Sequence, residues 1–279
     1  MIYALQNCAD DIISLYLNGS SVLSLSKQYN TNTHQIQSIL DLYNVPKISQ
    51  MKRFNPLFIE DYFKVIDTKE KAYWIGWLLT DGGVSKKNDI EISLVAGDKD
   101  ILHLLENDLH IQNKVKPFNN EYVRFSISSA NMCKDLKQYG IIPNKTLTLN
   151  LPKNIPEEFE THLLRGMFDG DGGFTTGVAT RFYKHRNKSY TKPYQELSFT
   201  GTYDMCEHFQ HILCKHTGAP HKNITKNHSV YRVRWSNKDE ILAICRVLYM
   251  DCGQHFLRRK HDKYQELLNR GIENELLAD

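Results

Sequence analysis

Along the first fifty residues, apolar side chains return at helical spacing. In 10–17 the inward positions are Ile12, Ile13, Tyr16 and Leu17, and Asn18-Gly19-Ser20 then supplies a stop and a new cap. A second helix is predicted over 22–29 and a third over 33–43, with Ile36, Ile39 and Leu40 inward and the turn Asn30-Thr31-Asn32 between them. Two helices joined by a tight polar turn match the helix-turn-helix pattern, whose third helix would offer His34, Gln35, Gln37 and Ser38 to a major groove. Small helical bundles that never touch DNA share this periodicity, so the pattern alone leaves both readings open. The stretch 46–56 follows, with Lys47, Lys52 and Arg53 between two prolines, and reads as a basic linker.

From residue 67 onward the period alternates between helix and strand, and the whole series occurs twice. A helical run ends in Gly82-Gly83, and "DIEISLVA" then sets Ile90, Ile92 and Leu94 on one face, as a half-buried strand does. A helix near 98–109, strands near 114–118 and 122–128, and a helix near 131–139 complete the first series. The second runs from the helix ending in Gly172-Gly173 through "QELSFTG", a helix over 203–216, strands in "HKNITK" and "VYRVRWS", and a helix over 238–249. A last helix near 260–269 closes the chain. The predicted class is α+β: two pseudo-symmetric α-β-β-α-β-β-α repeats with antiparallel sheets, plus a small N-terminal helical domain. The boundaries expected are 1–48 for the helix-turn-helix-like domain, 49–66 for the linker, 67–152 for the first repeat and 153–279 for the second.

The helices that open the repeats are the main lead. "YWIGWLLTDGGV" (73–84) and "LLRGMFDGDGGF" (163–174) align so that Gly76 meets Gly166, Asp81 meets Asp171, and the glycine pairs coincide. Asp67 with Glu70 resembles a capping box before the first helix, and Pro156, Glu157 and Glu158 suit the start of the second. The Gly-Gly pairs can take the left-handed conformation that ends a helix. Capping leaves the aspartates unexplained, because a carboxylate at a helix carboxyl end meets the negative pole of the macrodipole at a cost of roughly 0.3–1 kcal/mol.

Small residues four apart, Gly76 with Thr80 and Gly166 with Gly170, let two such helices approach closely. Packing them together would bring Asp81 and Asp171 side by side, and two charges about 4 Å apart repel by about 4 kcal/mol at an effective dielectric of about 20. Divalent cations between them would remove that penalty; Mg²⁺ favours one or two carboxylates plus substrate phosphate oxygens. Metal ions bridging a phosphodiester can activate water and stabilise the leaving oxygen.

Charge points to the same kind of ligand. The net charge is +3, yet 172–238 holds eleven basic residues against Glu196, Asp204 and Glu207, which makes that region +8 and the remainder −5. Such a region is an electrostatic footprint for a polyanion, and Phe182, Tyr183, Tyr190, Tyr194, Tyr231 and Trp235 among the charges favour nucleic acid. The bland alternative is a solvated face with no ligand. From Asp81 to Asp171 is 90 positions, but from Ile92 to Leu197 is 105. The 15 extra residues fall in the acid-free stretch with Arg181, Lys184, Arg186, Lys188 and Lys192, which predicts a basic loop or lengthened hairpin. "VRFSI" and "YRVRW" each keep one strand face apolar and place Arg124, or Arg232 and Arg234, on the other, as suits a groove reader. Lys86, Lys87, Lys222 and Lys226 complete the basic set considered for DNA, with Gln35 and Gln37 from the N-terminal segment.

Other classes recede. No apolar run approaches the roughly 18 residues of a membrane span, and "MIYALQNCADD" shows no secretory signal, so a cytoplasmic or organellar location is expected. Six cysteines without a C-x-x-C pair suit reduced thiols. In 206–216 the helical spacing groups Cys206, Phe209, Ile212, Leu213 and His216 as a core stripe and turns His208 and His211 away, which favours an amphipathic helix over a zinc site.

The doubled stretches "WIGWLLTDG" (74–82) and "LRGMFDGDG" (164–172) resemble the motifs of the LAGLIDADG homing endonucleases of the single-chain, two-motif type, over about 70–265. That resemblance implies motif helices at the interface of two halves, DNA-facing saddle-shaped sheets, and Asp81 and Asp171 as ligands of Mg²⁺ or Mn²⁺ at the scissile phosphates. It also implies basic residues near the centre, for which Lys145 in "PNKT" and Lys260 in "RRKHD" are the candidates, each with a solvated lysine as its alternative. Asp169 matches the motif's earlier aspartate, but Leu79 stands at its counterpart, so a structural role is expected, with a catalytic one as the alternative. Trp74, Trp77 and Thr80 make the first motif bulkier than usual, and no intein-like splice junction is expected.

The leading expectation is therefore a monomeric, sequence-specific, Mg²⁺-dependent endonuclease that breaks double-stranded DNA at a long site, as in an intron or phage mobile element. A non-cleaving transcription regulator of LAGLIDADG plus helix-turn-helix type is the first rival. An intron RNA maturase, which the same fold supports, is the second.

Overall fold

A computed structural model describes residues 5, 7–144, 152 and 154–276. The chain opens with three helices, α1 (Ala9–Leu17), α2 (Val22–Gln28) and α3 (Thr33–Leu42). Ser21 Oγ accepts the Ser24 N–H at 2.9 Å and Asn32 Oδ1 accepts the Gln35 N–H at 2.9 Å, so α2 and α3 both begin at oxygen-bearing caps. Asn30 closes the turn between them with φ 48°, a left-handed conformation that asparagine tolerates. Ile12, Tyr16, Leu25, Ile36, Ile39 and Leu40 form a small core separate from the main one.

The segment read as a linker holds a short helix, α4 (Gln50–Phe54). The Arg53 guanidinium lies over the Tyr16 ring at 5.1 Å, Lys52 donates to Phe58 O, and Asn131 Nδ2 donates to Lys47 O at 2.7 Å.

The first repeat comprises α5 (Lys69–Leu79), β1 (Gly82–Val84), β2 (Asp89–Val95), α6 (Lys99–Asp108), β3 (Val115–Pro117), β4 (Tyr122–Ser128) and α7 (Ala130–Lys137). The second comprises α8 (Glu160–Asp171), β5 (Gly172–Tyr183), β6 (Lys188–Gly201), α9 (Tyr203–Thr217), β7 (Thr225–Asn227), β8 (Val230–Trp235) and α10 (Lys238–Tyr249), and α11 (Arg258–Leu276) follows. Two antiparallel four-stranded sheets result, ordered β1-β2-β4-β3 and β5-β6-β8-β7. The α+β class with two α-β-β-α-β-β-α units is thus what the chain forms.

Alternation decides which sheet face is covered. Ile90, Ile92 and Leu94 of β2, Val123, Phe125 and Ile127 of β4, Leu197 and Phe199 of β6, and Val233 and Trp235 of β8 are all buried, with more polar neighbours between them. They join one core that runs through both repeats. The predicted stripe on α9 is also buried at Cys206, Phe209, Ile212 and Leu213, while His216 sits at the margin and meets Glu160 at 2.8 Å. Among the described residues no helix is long and apolar enough to cross a membrane.

Three local expectations need correction. The cap of α5 is Thr68, whose hydroxyl accepts the Lys71 N–H at 3.3 Å; Asp67 instead pairs with the Lys71 ammonium at 2.7 Å. Neither Gly-Gly pair is left-handed: both lie in strands, and Gly172 is extended at φ −86°, ψ 167°. Glycine is required at the helix-to-strand passage for space, since a Cβ on Gly82 would stand 2.6 Å from Leu78 Cα and one on Gly172 2.5 Å from Phe168 O. Trp235, counted among the aromatics near the charges, is a core residue that donates to Pro220 O at 3.4 Å.

Candidate active site

α5 and α8 pack backbone to backbone. A Cβ on Gly76 would press on Leu163 O and stand 2.7 Å from Met167 N; one on Gly166 would press on Tyr73 O and stand 3.1 Å from Gly76 Cα. One turn on, Gly170 leaves room for Thr80, whose Cβ would be 2.7 Å from any Cβ added there. The structure therefore brings Gly76, Thr80, Gly166 and Gly170 into one contact surface. Asp81 and Asp171 follow at the adjoining carboxyl ends, both exposed.

The helix end beneath Asp171 carries a buried cation. Lys260, 3 % exposed, donates from Nζ to the carbonyls of Phe168 at 2.6 Å, Asp169 at 2.7 Å and Gly172 at 2.6 Å, with Gly170 O at 3.3 Å. Phe168 O already accepts the Gly172 N–H, and Gly172 is the first residue of β5, so the ammonium ties the end of α8 to the start of β5 and offsets the negative pole against which Asp171 stands. Burial pushes the Lys260 pKa down to about 8, while Asp169, Asp81 and Asp171 favour its charged form. Lys145, the corresponding candidate of the first repeat, lies outside the described residues.

Behind this cap is a polar cluster. Asp169 is buried; its Oδ2 accepts the Tyr73 hydroxyl at 2.9 Å and the Leu257 N–H at 2.8 Å. Burial pushes its carboxyl up to about 6, against the opposing pull of Lys260. Arg165, one turn earlier, is wholly buried; it donates to His255 O at 2.6 Å, Leu248 O at 3.1 Å and His162 Nδ1 at 2.8 Å, and lies over the Tyr73 ring at 5.1 Å.

The segment 251–260 also fastens the second repeat to the first. Asp251 meets Lys69 at 2.7 Å, His255 meets Asp108 at 2.7 Å, and Arg259 meets Asp98 at 2.9 Å; Trp74 Nε1 shares Asp108 at 2.6 Å. Sequence reasoning missed Arg165, His255 and Asp108. The available signal was an arginine inside the apolar run "HLLRGMF".

The uncovered sheet faces hold the arginines, each beside a polar partner. Arg124 donates to Ser93 Oγ at 3.0 Å, lies 3.5 Å from Glu91 and sits over Phe118 at 3.7 Å. Arg232 donates to Thr200 Oγ1 at 3.3 Å, and Arg234 lies 3.5 Å from Glu196. Lys86 and Lys87 are exposed at the β1–β2 turn, and Lys184, Arg186 and Lys188 at the far end of the β5–β6 hairpin. Arg181 and Lys192 belong to that hairpin by backbone pairing, but their side chains lie outside the described ones.

Other members of the basic set stand elsewhere. Lys226 pairs with Tyr231, which sets it on the face opposite Arg232 and Arg234. Lys222 is among the helices, 2.9 Å from Glu240, with its N–H on Gln210. On α3, Gln37 donates to Asp41 at 2.8 Å and Gln35 is met by the Thr31 hydroxyl. That helix has no lysine or arginine, so it offers no cation to a phosphate.

No protein-family model and no curated protein matches the sequence. Solved structures do match. Meganuclease I-SmaMI bound to uncleavable DNA with a TTCT central four is 11 % identical, with TM-score 0.51, over 73 % of this chain and 91 % of that one. Meganuclease I-CpaMI bound to uncleaved DNA is 12 % identical, with TM-score 0.50, over 74 % and 96 %. The chain has the LAGLIDADG homing-endonuclease fold. A further match, I-SmaMI on uncleaved DNA with calcium ions, is 11 % identical with TM-score 0.51, over 74 % and 92 %. At such identities the likeness is one of LAGLIDADG architecture.

The donor set of this LAGLIDADG fold suits a hard divalent cation. Among the described residues no three His, Cys, Asp or Glu converge, as a catalytic zinc would need. Two exposed carboxylates at adjoining helix ends fit Mg²⁺ or Mn²⁺, which complete their shells with water and phosphate oxygens.

Proposed function

We propose that the protein is a sequence-specific, divalent-metal-dependent endonuclease that cuts both strands of DNA at a long site and works as a single chain. The observation that carries this reading is the glycine-to-glycine packing of α5 and α8, which sets Asp81 and Asp171 together where two sheets begin. When bound, the cation would supply Lewis-acid polarisation of the scissile phosphate and acidify a water.

The chain's own residues orient and anchor. Asp81 and Asp171 would hold the cation. Lys260 gives its three N–H bonds to carbonyls of the α8 terminus, so it fixes the backbone under Asp171 and has no proton left for a reacting water. Asp169 holds Leu257 and thereby the start of α11. Arg124, Arg232 and Arg234 stand where one half-site would lie on each sheet, and the +8 region of 172–238 supplies salt-dependent affinity.

The test starts from a duplex selected by the protein from a randomised library. Mg²⁺ should produce breaks in both strands, and Asp81→Asn or Asp171→Asn should each lower the rate by about 100-fold or more while binding in Ca²⁺ persists. Tight duplex binding without cleavage in Mg²⁺ or Mn²⁺ would replace this reading with that of a helix-turn-helix regulator. Binding confined to structured intron RNA would replace it with a maturase.

A further inference from the structure

The repeats differ most in the hairpin that follows each motif helix. β1 and β2 pair over three positions, Gly82 to Val84, before turning. β5 and β6 pair over twelve, from Gly172 with Phe199 to Tyr183 with Lys188. Among the described residues β8 supports β6 only at Leu197 to Gly201, and from the Thr175–Glu196 pair outward the two strands have no third strand beside them. Those nine pairs make a ribbon of roughly 27 Å at about 3.3 Å per residue.

A two-stranded ribbon is marginal in water, and this one carries apolar side chains in the open: Val178 is 67 % exposed, Phe182 54 % and Tyr190 47 %. By register Val178 and Phe182 share one face and Tyr190 and Tyr194 the other, so both faces of the ribbon call for a cover. Its charge selects the cover. No acid occurs between Asp171 and Glu196, and Lys184, Arg186 and Lys188 stand exposed around the tip, which favours a polyanion. Its shape selects further: the major groove of B-DNA, about 12 Å wide, admits a two-stranded ribbon, whereas the deep, narrow major groove of A-form RNA does not. The strand register continues the parity of Arg232 and Arg234 out to Tyr194, Tyr190 and Lys188, so one face runs unbroken from sheet to tip.

We propose that the β5–β6 ribbon lies along the major groove on the second repeat's side alone, giving the protein an asymmetric DNA footprint. At about 3.4 Å per base pair the ribbon adds about eight base pairs of contact that the β1–β2 stub has no means to match. This rests on the proposed function only in requiring duplex binding.

Hydroxyl-radical footprinting on the library-selected duplex, with Ca²⁺ in place of Mg²⁺, tests it. Wild type should protect about eight base pairs more on one side of the centre. Replacing residues 176–195 by Asn-Gly, a two-residue hairpin turn, should erase that extra protection and leave the central footprint. In the full-length chain, the triple change Lys184→Glu, Arg186→Glu, Lys188→Glu should do the same and flatten the slope of log Kd against log salt by about 3. A wild-type footprint symmetric about its centre, or outer protection that survives both variants, would overturn the proposal. Absence of any protected duplex would overturn the endonuclease reading as well.

Discussion

Where α8 buries Arg165 and Asp169, α5 buries Ile75 and Leu79 at the aligned positions. The first motif is supported by bulk, with Tyr73, Trp74 and Trp77 all buried around it. The second is supported by directed bonds, Asp169 to Tyr73 and Leu257 and Lys260 to the helix-end carbonyls. Two helices of opposite surroundings still meet through the same glycines and end in the same aspartate. The contact and the terminal acid are therefore the shared requirement, and what stands behind them is free to be apolar or ionic. Ionic support adds orientation at the expense of fragility, since a buried charge stripped of its partner is strongly destabilising.

The contrast can be broken most forcefully at Asp169. Asp169→Leu copies Leu79 into the second motif, leaves the Tyr73 hydroxyl and the Leu257 N–H without their acceptor, and removes the buried negative charge that Arg165 and Lys260 face; urea unfolding should show a loss of about 3–5 kcal/mol. Adding Arg165→Ile, which copies Ile75, should return part of it, with a coupling of about 0.5–3 kcal/mol in the double-mutant cycle. Additive losses would mean that the two charges do not act as a unit.

The shared part of the interface is the next target. Gly166→Ala and Gly76→Ala each force a Cβ into the facing backbone and should cost about 1–3 kcal/mol apiece, equally in the two motifs. If either variant unfolded at the wild-type urea midpoint, the symmetric contact would be refuted.

A smaller effect separates the repeats by pH. Burial, helped by the Arg165 charge, depresses His162 from its ordinary 6.5 to about 4, so its neutral ring is the form that the fold accepts. A group with a lowered folded pKa contributes stability that is present above pH 6.5 and is lost as pH falls through about 4. Wild type should therefore lose stability across that window faster than His162→Gln, as followed by urea unfolding at several pH values. Parallel profiles would show that the ring is not held neutral.

Much of this was legible in the chain because it is written in periods. The α-β-β-α-β-β-α order, the paired motifs and the inward faces of β2, β4 and β8 follow from spacing alone, as does a longer, basic hairpin in the second repeat. Single long-range bonds have no period. Nothing in "GQHFLRRK" announces that His255 meets Asp108, 147 positions earlier, or that Lys260 caps α8. Lys222 looked like its basic neighbours, and only the fold sets it against Glu240. The Gly-Gly pairs misled because glycine serves two ends, positive φ and absence of a side chain, and composition does not say which.

The fastening of segment 251–260 to α5 and α6 also sets an order of assembly. On a ribosome the first repeat emerges whole while its partner helix is still unmade, so the α5 surface around Gly76, including backbone atoms of Tyr73, has nothing to rest on. α8 arrives about ninety residues later, and Asp251, His255 and Arg259 later still, to close onto Lys69, Asp108 and Asp98. The bonds that lock the two halves thus form only after α8 has covered α5, and a chain cut short before residue 251 would hold that cover without its fastening.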